Sequence, residues 1–84
     1  MKRKRRNKVI YTPEWIKETI SNYVKPPHIR EGQFVFNIIN SYFGEIAREV
    51  QFIDGVDCFY DDKQINKFIE KVCIRLNNKN NVYS

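Results

Sequence analysis

Residues 30–68, REGQFVFNIINSYFGEIAREVQFIDGVDCFYDDKQINKF, contain most of the apolar side chains of this 84-residue chain. Apolar residues in this stretch recur every three or four positions, which is the spacing of one face of a helix. The pattern predicts a helix over about 30–42, a shorter helix over about 45–52 and the start of another near Asp61. We therefore expect a small all-α domain of three or four helices.

The segments on either side extend the helical prediction. Thr12-Pro13-Glu14 combines a capping hydroxyl, a proline suited to the first turn and a favourable acidic charge, so we expect a helix to start there. Pro26 and Pro27 are expected to end it. The last helix has the clearest amphipathic pattern and is expected to end in the Asn-rich segment 77–81. The predicted core-facing residues are Trp15, Ile16, Thr19, Ile20, Tyr23, Val24, Phe34, Val35, Ile38, Ile39, Tyr42, Ile46, Ala47, Val50, Ile53, Ile65, Phe68, Ile69, Val72, Cys73 and Leu76.

Positive charge is concentrated at the N-terminus. The net charge is +5, yet the 76 residues after residue 8 carry 9 basic and 10 acidic side chains. We expect residues 1–8 to be a disordered arm that contacts the phosphates of nucleic acid, with a solubilising tail as the alternative. A helical domain over 9–77 and a polar tail over 78–84 follow. The basic residues of the arm are Lys2, Arg3, Lys4, Arg5, Arg6 and Lys8.

The cysteines and the single histidine do not form a recognisable metal or catalytic set. Cys58 and Cys73 are 15 positions apart and His28 stands alone, whereas a zinc site needs four ligands in close pairs. We expect both cysteines to be free, buried or half-buried thiols, and we expect no cofactor. The chain has no apolar run long enough for a membrane span or a signal peptide, which predicts a cytoplasmic protein.

Asp54, Asp57, Asp61 and Asp62 form an acidic cluster. A calcium loop needs oxygen ligands at alternating positions and a closing glutamate, and this spacing offers neither. Turn formation and helix capping account for all four residues, so we favour a structural role. A metal-dependent nuclease that uses these aspartates is the weaker alternative.

Residues 36–53 have the pattern of a helix-turn-helix, with Gly44 at the turn. Glu45 and Glu49 on its second helix would oppose the phosphates of DNA. We therefore favour a helical corner without a role in reading DNA.

Two features concern the outer faces of the helices. Phe36 lies partly off the apolar stripe of its helix, where it either covers the first helix or remains exposed as a contact residue. Basic residues recur at four-residue spacing along the last helix and are expected to form a solvated face, with contact to the acidic turn or to an acidic partner as the alternative. They are Lys63, Lys67, Lys71 and Arg75.

The strings REGQFVFNII, FGEIAREV and DGVDCFYDDKQINKFIEKV resemble a group of short uncharacterised proteins of bacteriophages, prophages and bacteria. Those proteins share an R-x-G-Q opening, a following asparagine and a D-x-F-Y-D-D element before a final helix, often with proline where this chain has Cys58. The resemblance covers roughly half of the chain and implies a small helical protein with no assigned chemistry. The matching residues are Arg30, Gly32, Gln33, Asn37, Asp57, Phe59, Tyr60, Asp61 and Asp62.

Four polar members of this pattern, Arg30, Gln33, Asn37 and Asp61, are candidates for partner contact. The alternative is a role in the fold, for instance a bond from Arg30 or Gln33 to the turn over 57–62. Because the sequence shows no catalytic set, we expect a non-enzymatic accessory protein that binds a protein partner, with the arm on nucleic acid. A nucleic-acid-binding module proper is the main alternative.

Overall fold

The computed structural model describes residues 10–82, with side-chain surroundings for residues 10–79. This part of the chain forms four α-helices and one 3₁₀ turn and contains no strand, which confirms the predicted all-α domain. The basic residues 2–8, for which a disordered arm was predicted, lie outside the described residues. The elements are α1 (Pro13–Ser21), α2 (Glu31–Tyr42), α3 (Gly44–Phe52), the 3₁₀ turn (Asp62–Gln64) and α4 (Ile65–Val82).

Helix α1 begins where its capping residues predict and ends earlier than expected. The Oγ1 atom of Thr12 accepts a hydrogen bond from the Trp15 amide at 3.1 Å, and Pro13 occupies the first helical position. The helix stops at Ser21. The prediction that Val24 faces the core was wrong, because the helical spacing no longer applies beyond the helix end, and Val24 is 90% exposed.

Helices α2 and α3 meet at a tight corner that contains a single residue, Phe43. The Phe43 amide donates to the Ile39 carbonyl at 2.7 Å, and the Phe43 carbonyl accepts from the Ala47 amide at 2.8 Å. The amide and the carbonyl of Phe43 are therefore both paired within the corner. The change of direction lies where the sequence predicts it, with Gly44 as the first residue of α3.

The prediction that Ile53 faces the core was wrong, because Ile53 lies in the turn after α3. Ile53 is 70% exposed, and Val56 takes the place in the core with 4% exposed. The helix ends at Phe52, so the spacing that placed Ile53 inside no longer holds. Gly55, with φ at 71°, adopts a left-handed conformation that reverses the chain before Val56.

Helix α4 presents its predicted apolar face to the core and is longer than predicted. Phe68 and Ile69 are at most 1% exposed. The Asn-rich segment does not end the helix, which continues through Val82. The Asn77 side chain accepts from the Tyr11 amide at 2.8 Å and donates to the Tyr11 carbonyl at 3.0 Å. Because Asn77 is satisfied by this distant partner, it does not compete for the backbone of its own helix.

The core lies between α2, α3 and α4, and α1 packs on the α4 side. Phe36 belongs to this core, at 8% exposed, and neither covers α1 nor remains at the surface. Its ring lies 5.5 Å from those of Phe59 and Phe68, measured between centroids. The loop before α4 brings Phe59 over this side of α2, which explains why the stripe of buried residues is broader than its spacing predicts.

Candidate binding surfaces

Residues of the R-x-G-Q and D-x-F-Y-D-D strings meet at the N-terminus of α2. The Arg30 guanidinium donates to the Phe59 carbonyl, and the Gly32 amide donates to Asp62 Oδ1 at 3.0 Å. The Cys58 thiol donates to the Gly32 carbonyl at 3.4 Å. A Cβ atom on Gly32 would lie 2.0 Å from the Cys58 carbonyl oxygen, so this close approach requires glycine. We call these contacts the α2–loop junction.

The four polar residues predicted to contact a partner divide between the fold and the surface. Arg30 bonds the loop over 57–62, as expected for its structural alternative. Asp61 caps the 3₁₀ turn, because its carboxylate accepts from the amide two residues later at 3.0 Å. Gln33 is half-buried and Asn37 is exposed. The structure therefore brings Arg30 and Asp61 to the same loop and leaves Asn37 free of it.

The aspartates have separate structural partners. Asp57 accepts from the Phe59 amide at 2.9 Å and from Gln51 Nε2 at 3.1 Å. Asp62 binds the start of α2, and Asp54 forms an ion pair described below. Within residues 10–79, no three His, Cys, Asp or Glu side chains are grouped so that they could hold a metal ion. Hydrogen bonds of the turn and of the helix starts account for Asp57, Asp61 and Asp62, and the ion pair accounts for Asp54.

Both cysteines are free and buried, as predicted. Burial raises the pKa of Cys58 to about 12, with a further contribution from the Asp57 charge, and raises the pKa of Cys73 to about 11. The thiolate is the form that attacks electrophiles and binds metals. At neutral pH these two thiols therefore act as small apolar side chains. His28 is exposed in the segment between α1 and α2.

The turn at the end of α3 holds two large apolar side chains in solvent. Phe52 is 74% exposed and Ile53 is 70% exposed. Backbone hydrogen bonds hold the turn in place, because the amides of Ile53 and Asp54 both donate to the Glu49 carbonyl, at 2.8 and 3.2 Å. Ile74 of α4, 52% exposed, lines the same shallow groove as Asp54. We call Phe52, Ile53 and Ile74 the turn patch.

Arg75 anchors this turn to α4. Its guanidinium donates to both carboxylate oxygens of Asp54, at 2.8 and 3.0 Å, and to the Glu49 carboxylate at 3.1 Å. The bidentate contact lowers the pKa of Asp54 and raises the pKa of Arg75. Arg75 therefore faces the acidic turn, as the alternative to a solvated face predicted, because α3 and the turn bring two carboxylates within its reach.

Five aromatic rings form a continuous surface on α1 and the end of α2. The Tyr11 ring packs edge-on against Trp15 and Phe43, with centroids 5.6 and 5.5 Å apart. Tyr42 lies 6.1 Å from Phe43, and the hydroxyls of Tyr42 and Tyr23 are 2.6 Å apart, a hydrogen bond that raises the pKa of Tyr42. The exposed fractions of Trp15, Tyr23 and Tyr42 are 45%, 46% and 49%. We call these five residues the aromatic face.

The aromatic face was not predicted from the sequence. Trp15, Tyr23 and Tyr42 follow helical spacing, which predicts a position in the core, but the structure leaves about half of each residue exposed to solvent. One signal in the sequence pointed to this outcome. Trp and Tyr carry a polar N–H or O–H group, which favours a position at the boundary between core and solvent.

A groove of 380 Å³ opens between α1, the start of α2 and the start of α4. Its lining is largely apolar and includes Ile20, Phe34 and Ile69. Lys25 at its rim donates to the Ile29 carbonyl at 2.8 Å, so its ammonium is already engaged. The groove adjoins the aromatic face through Tyr23, which contributes to both.

No protein-family model, no curated protein and no solved structure matches this chain. None of the helices in residues 10–82 is long and apolar enough to cross a membrane. The likeness to phage and prophage proteins stays a prediction from the three strings quoted above. The exposed turn patch and the exposed aromatic face are the surfaces of this chain on which a binding function can rest.

Proposed function

We propose that the protein is a non-enzymatic binding protein that docks a protein partner through the turn patch and contacts nucleic acid with residues 2–8. The observation that supports the docking surface is the exposure of Phe52 and Ile53, at 74% and 70%. Large apolar side chains that a folded domain keeps together in solvent are typical of interaction sites.

The construction of the turn favours this proposal. Arg75 holds Asp54, and the Glu49 carbonyl holds two successive amides, so the side chains of Phe52 and Ile53 project from a fixed backbone. A preorganised surface loses less conformational freedom on binding. Burial of each side chain in a pocket of the partner contributes about 1.5–3 kcal/mol, which is the size of a binding hot spot.

Charge supports the contact with nucleic acid. The six basic side chains of residues 2–8 form the main positive segment of a chain whose remaining residues carry 9 basic and 10 acidic groups. Phosphate contacts by lysine and arginine release counterions, so binding of this kind weakens steeply with salt. The described helices are close to neutral and contribute little to such an attraction.

A binding role also agrees with the chemistry of the described residues. The aspartates are separately engaged in hydrogen bonds and an ion pair, and the raised pKa values of Cys58 and Cys73 suppress their thiolate forms. A set of groups poised for acid–base or nucleophilic work would show a different arrangement, with a nucleophile and a base in contact.

The docking proposal is tested by crosslinking the intact chain in cells of its source organism and capturing it by affinity. The double variant F52A/I53A removes the two anchors, and Y60A is the matched control because Tyr60 is 72% exposed outside the turn patch. We expect one crosslinked protein to be lost with F52A/I53A and retained with Y60A, for an affinity loss of at least about 100-fold. Equal capture by all three proteins would contradict the proposal.

A second comparison separates the two contacts. Replacement of the six basic residues by glutamine is expected to abolish binding to nucleic acid and to leave the protein partner in place. If the partner is lost together with the basic residues, it is held by charge rather than by the turn patch. Circular dichroism of each variant is the control that its helices are retained.

A further inference from the structure

The aromatic face is fixed in a geometry that displays its rings. The hydroxyl contact at 2.6 Å joins Tyr23, which follows α1, to Tyr42 at the end of α2. The Tyr11 backbone exchanges two hydrogen bonds with the Asn77 side chain, one donated by each residue, and the Tyr11 ring packs between Trp15 and Phe43. Three separate elements thus cooperate to hold half-exposed rings in place, whereas a ring that served the core alone would need no such bracing.

Ring surfaces of this kind bind nucleobases. Base stacking on Trp or Tyr tolerates any sequence, because every base has a π-face. Stacking requires bases that are free of pairing, as in single strands. The exposed fractions of Trp15, Tyr23 and Tyr42 lie between 45% and 49%.

A run of basic residues immediately precedes this face in the sequence. Lys8 is three residues before Tyr11, so their Cα atoms are at most about 11 Å apart whatever the conformation of the connection. That distance is comparable with the Debye length of about 8–10 Å at physiological salt. Lys8 is therefore held within this distance of the Tyr11 backbone, and the other basic residues precede it in the sequence.

The charges of α1 favour a single strand over a duplex. Glu14 and Glu18 are exposed on the same short helix as Trp15, with Lys17 as the one basic residue of that helix. These two carboxylates oppose the approach of a duplex, whose bases are paired and whose phosphates face outward. A single strand can turn its bases toward the rings and its phosphates toward residues 2–8.

We propose that the aromatic face binds single-stranded nucleic acid by base stacking, with residues 2–8 on the phosphates. This inference rests on the nucleic-acid part of the function proposed above, and it adds the class of ligand and the residues that select it. It predicts a preference for single strands that the basic residues alone would not produce.

The single tryptophan of the chain provides a direct measurement. Because Trp15 is the only Trp, its fluorescence reports on the aromatic face alone. The full-length protein is titrated with a thymidine oligonucleotide and with a duplex of the same length at low salt. We expect the oligonucleotide to quench Trp15 and to bind more tightly than the duplex. The binding should weaken as salt is raised.

Paired variants separate stacking from charge. Y42A is expected to lower affinity for the single strand by about 5- to 150-fold, the range that corresponds to the loss of one stacked base. Y42F keeps the ring and loses the hydroxyl contact, so it should retain most of the affinity. Y60A is the matched control, because Tyr60 is an exposed tyrosine outside the aromatic face and the turn patch, and it should bind as the wild type does. E18Q removes a carboxylate near Trp15 and should strengthen binding.

Three outcomes are distinguishable. Quenching with single-strand preference, lost in Y42A and kept in Y42F, supports the inference. If the single strand and the duplex bind equally and do not quench Trp15, the inference is overturned. If that binding is also abolished when the basic residues are replaced by glutamine, the proposed contact with nucleic acid through residues 2–8 still holds. Absence of binding to either ligand at low salt overturns both.

Discussion

Replacement of Gly32 by alanine tests the α2–loop junction. The added Cβ would lie 2.0 Å from the Cys58 carbonyl oxygen and 2.7 Å from Asp62 Oδ1. Relief of these contacts requires α2 and the loop to separate by more than an ångström. That movement disturbs the 3.0 Å bond from the Gly32 amide to Asp62 and the packing of Phe59 on Phe36.

The expected loss of stability follows from these terms. Overpacking costs about 1–3 kcal/mol, and the weakened hydrogen bond costs about 0.5–1.5 kcal/mol. The higher helix propensity of alanine offsets at most about 1 kcal/mol of this loss of stability. We therefore expect Gly32→Ala to lower the free energy of unfolding by about 2–3 kcal/mol and the melting temperature by about 10–20 °C.

The assay is thermal and urea unfolding followed by circular dichroism. Gly44→Ala is the matched control, because a Cβ there would meet its nearest atom, Asn40 Oδ1, at an ordinary 3.5 Å. This control should be neutral or more stable by up to about 1 kcal/mol. A Gly32→Ala variant that is as stable as the wild type would show that the junction does not constrain the fold, and the reasoning would be refuted.

Three further predictions concern capping, the turn and the thiols. Thr12→Ala removes the cap of α1 and should cost about 1 kcal/mol in urea unfolding, whereas Thr12→Ser should retain it; equal losses would contradict capping. The lowered pKa of Asp54 contributes stability that is present above its ordinary value of 3.8 and is lost as the pH falls below that value, so Arg75→Gln should lose less stability than the wild type when the pH is lowered below 3.8. Cys58 and Cys73 should react with a thiol reagent at neutral pH only as fast as the protein opens, and rapid labelling of the folded protein would refute their burial. Their raised pKa values also predict that stability falls as the pH rises above 9.0, measured as the urea midpoint.

Much of the fold is predictable because helices are encoded locally. Thr12 with Pro13 marks the start of α1, and the spacing of Phe68 and Ile69 marks the buried face of α4. The errors occur where a helix ends. Val24 and Ile53 follow the period of the preceding helix but lie beyond it, and the period has no meaning there.

The surfaces were less predictable than the core. The sequence pattern predicted Arg30 and Asp61 as candidates for partner contact, with a role in the fold as the alternative. In the structure both contribute hydrogen bonds to the fold. The turn patch and the aromatic face were not anticipated. An apolar side chain is assigned to the core by default, and only the packing of the neighbouring helices shows whether the core has room for it.

The order of the charges along the chain and the helical period are properties of the sequence alone. They require no knowledge of distant contacts, because capping and amphipathic spacing act within a few residues. The tertiary structure decided which side chains meet across the fold. Gly32 touches Cys58 and Arg75 holds Asp54, at separations of 26 and 21 residues. These pairings, and the half-exposure of Tyr23 and Tyr42, depend on how the helices are rotated and crossed. That arrangement is set by close packing of the whole core rather than by any local stretch.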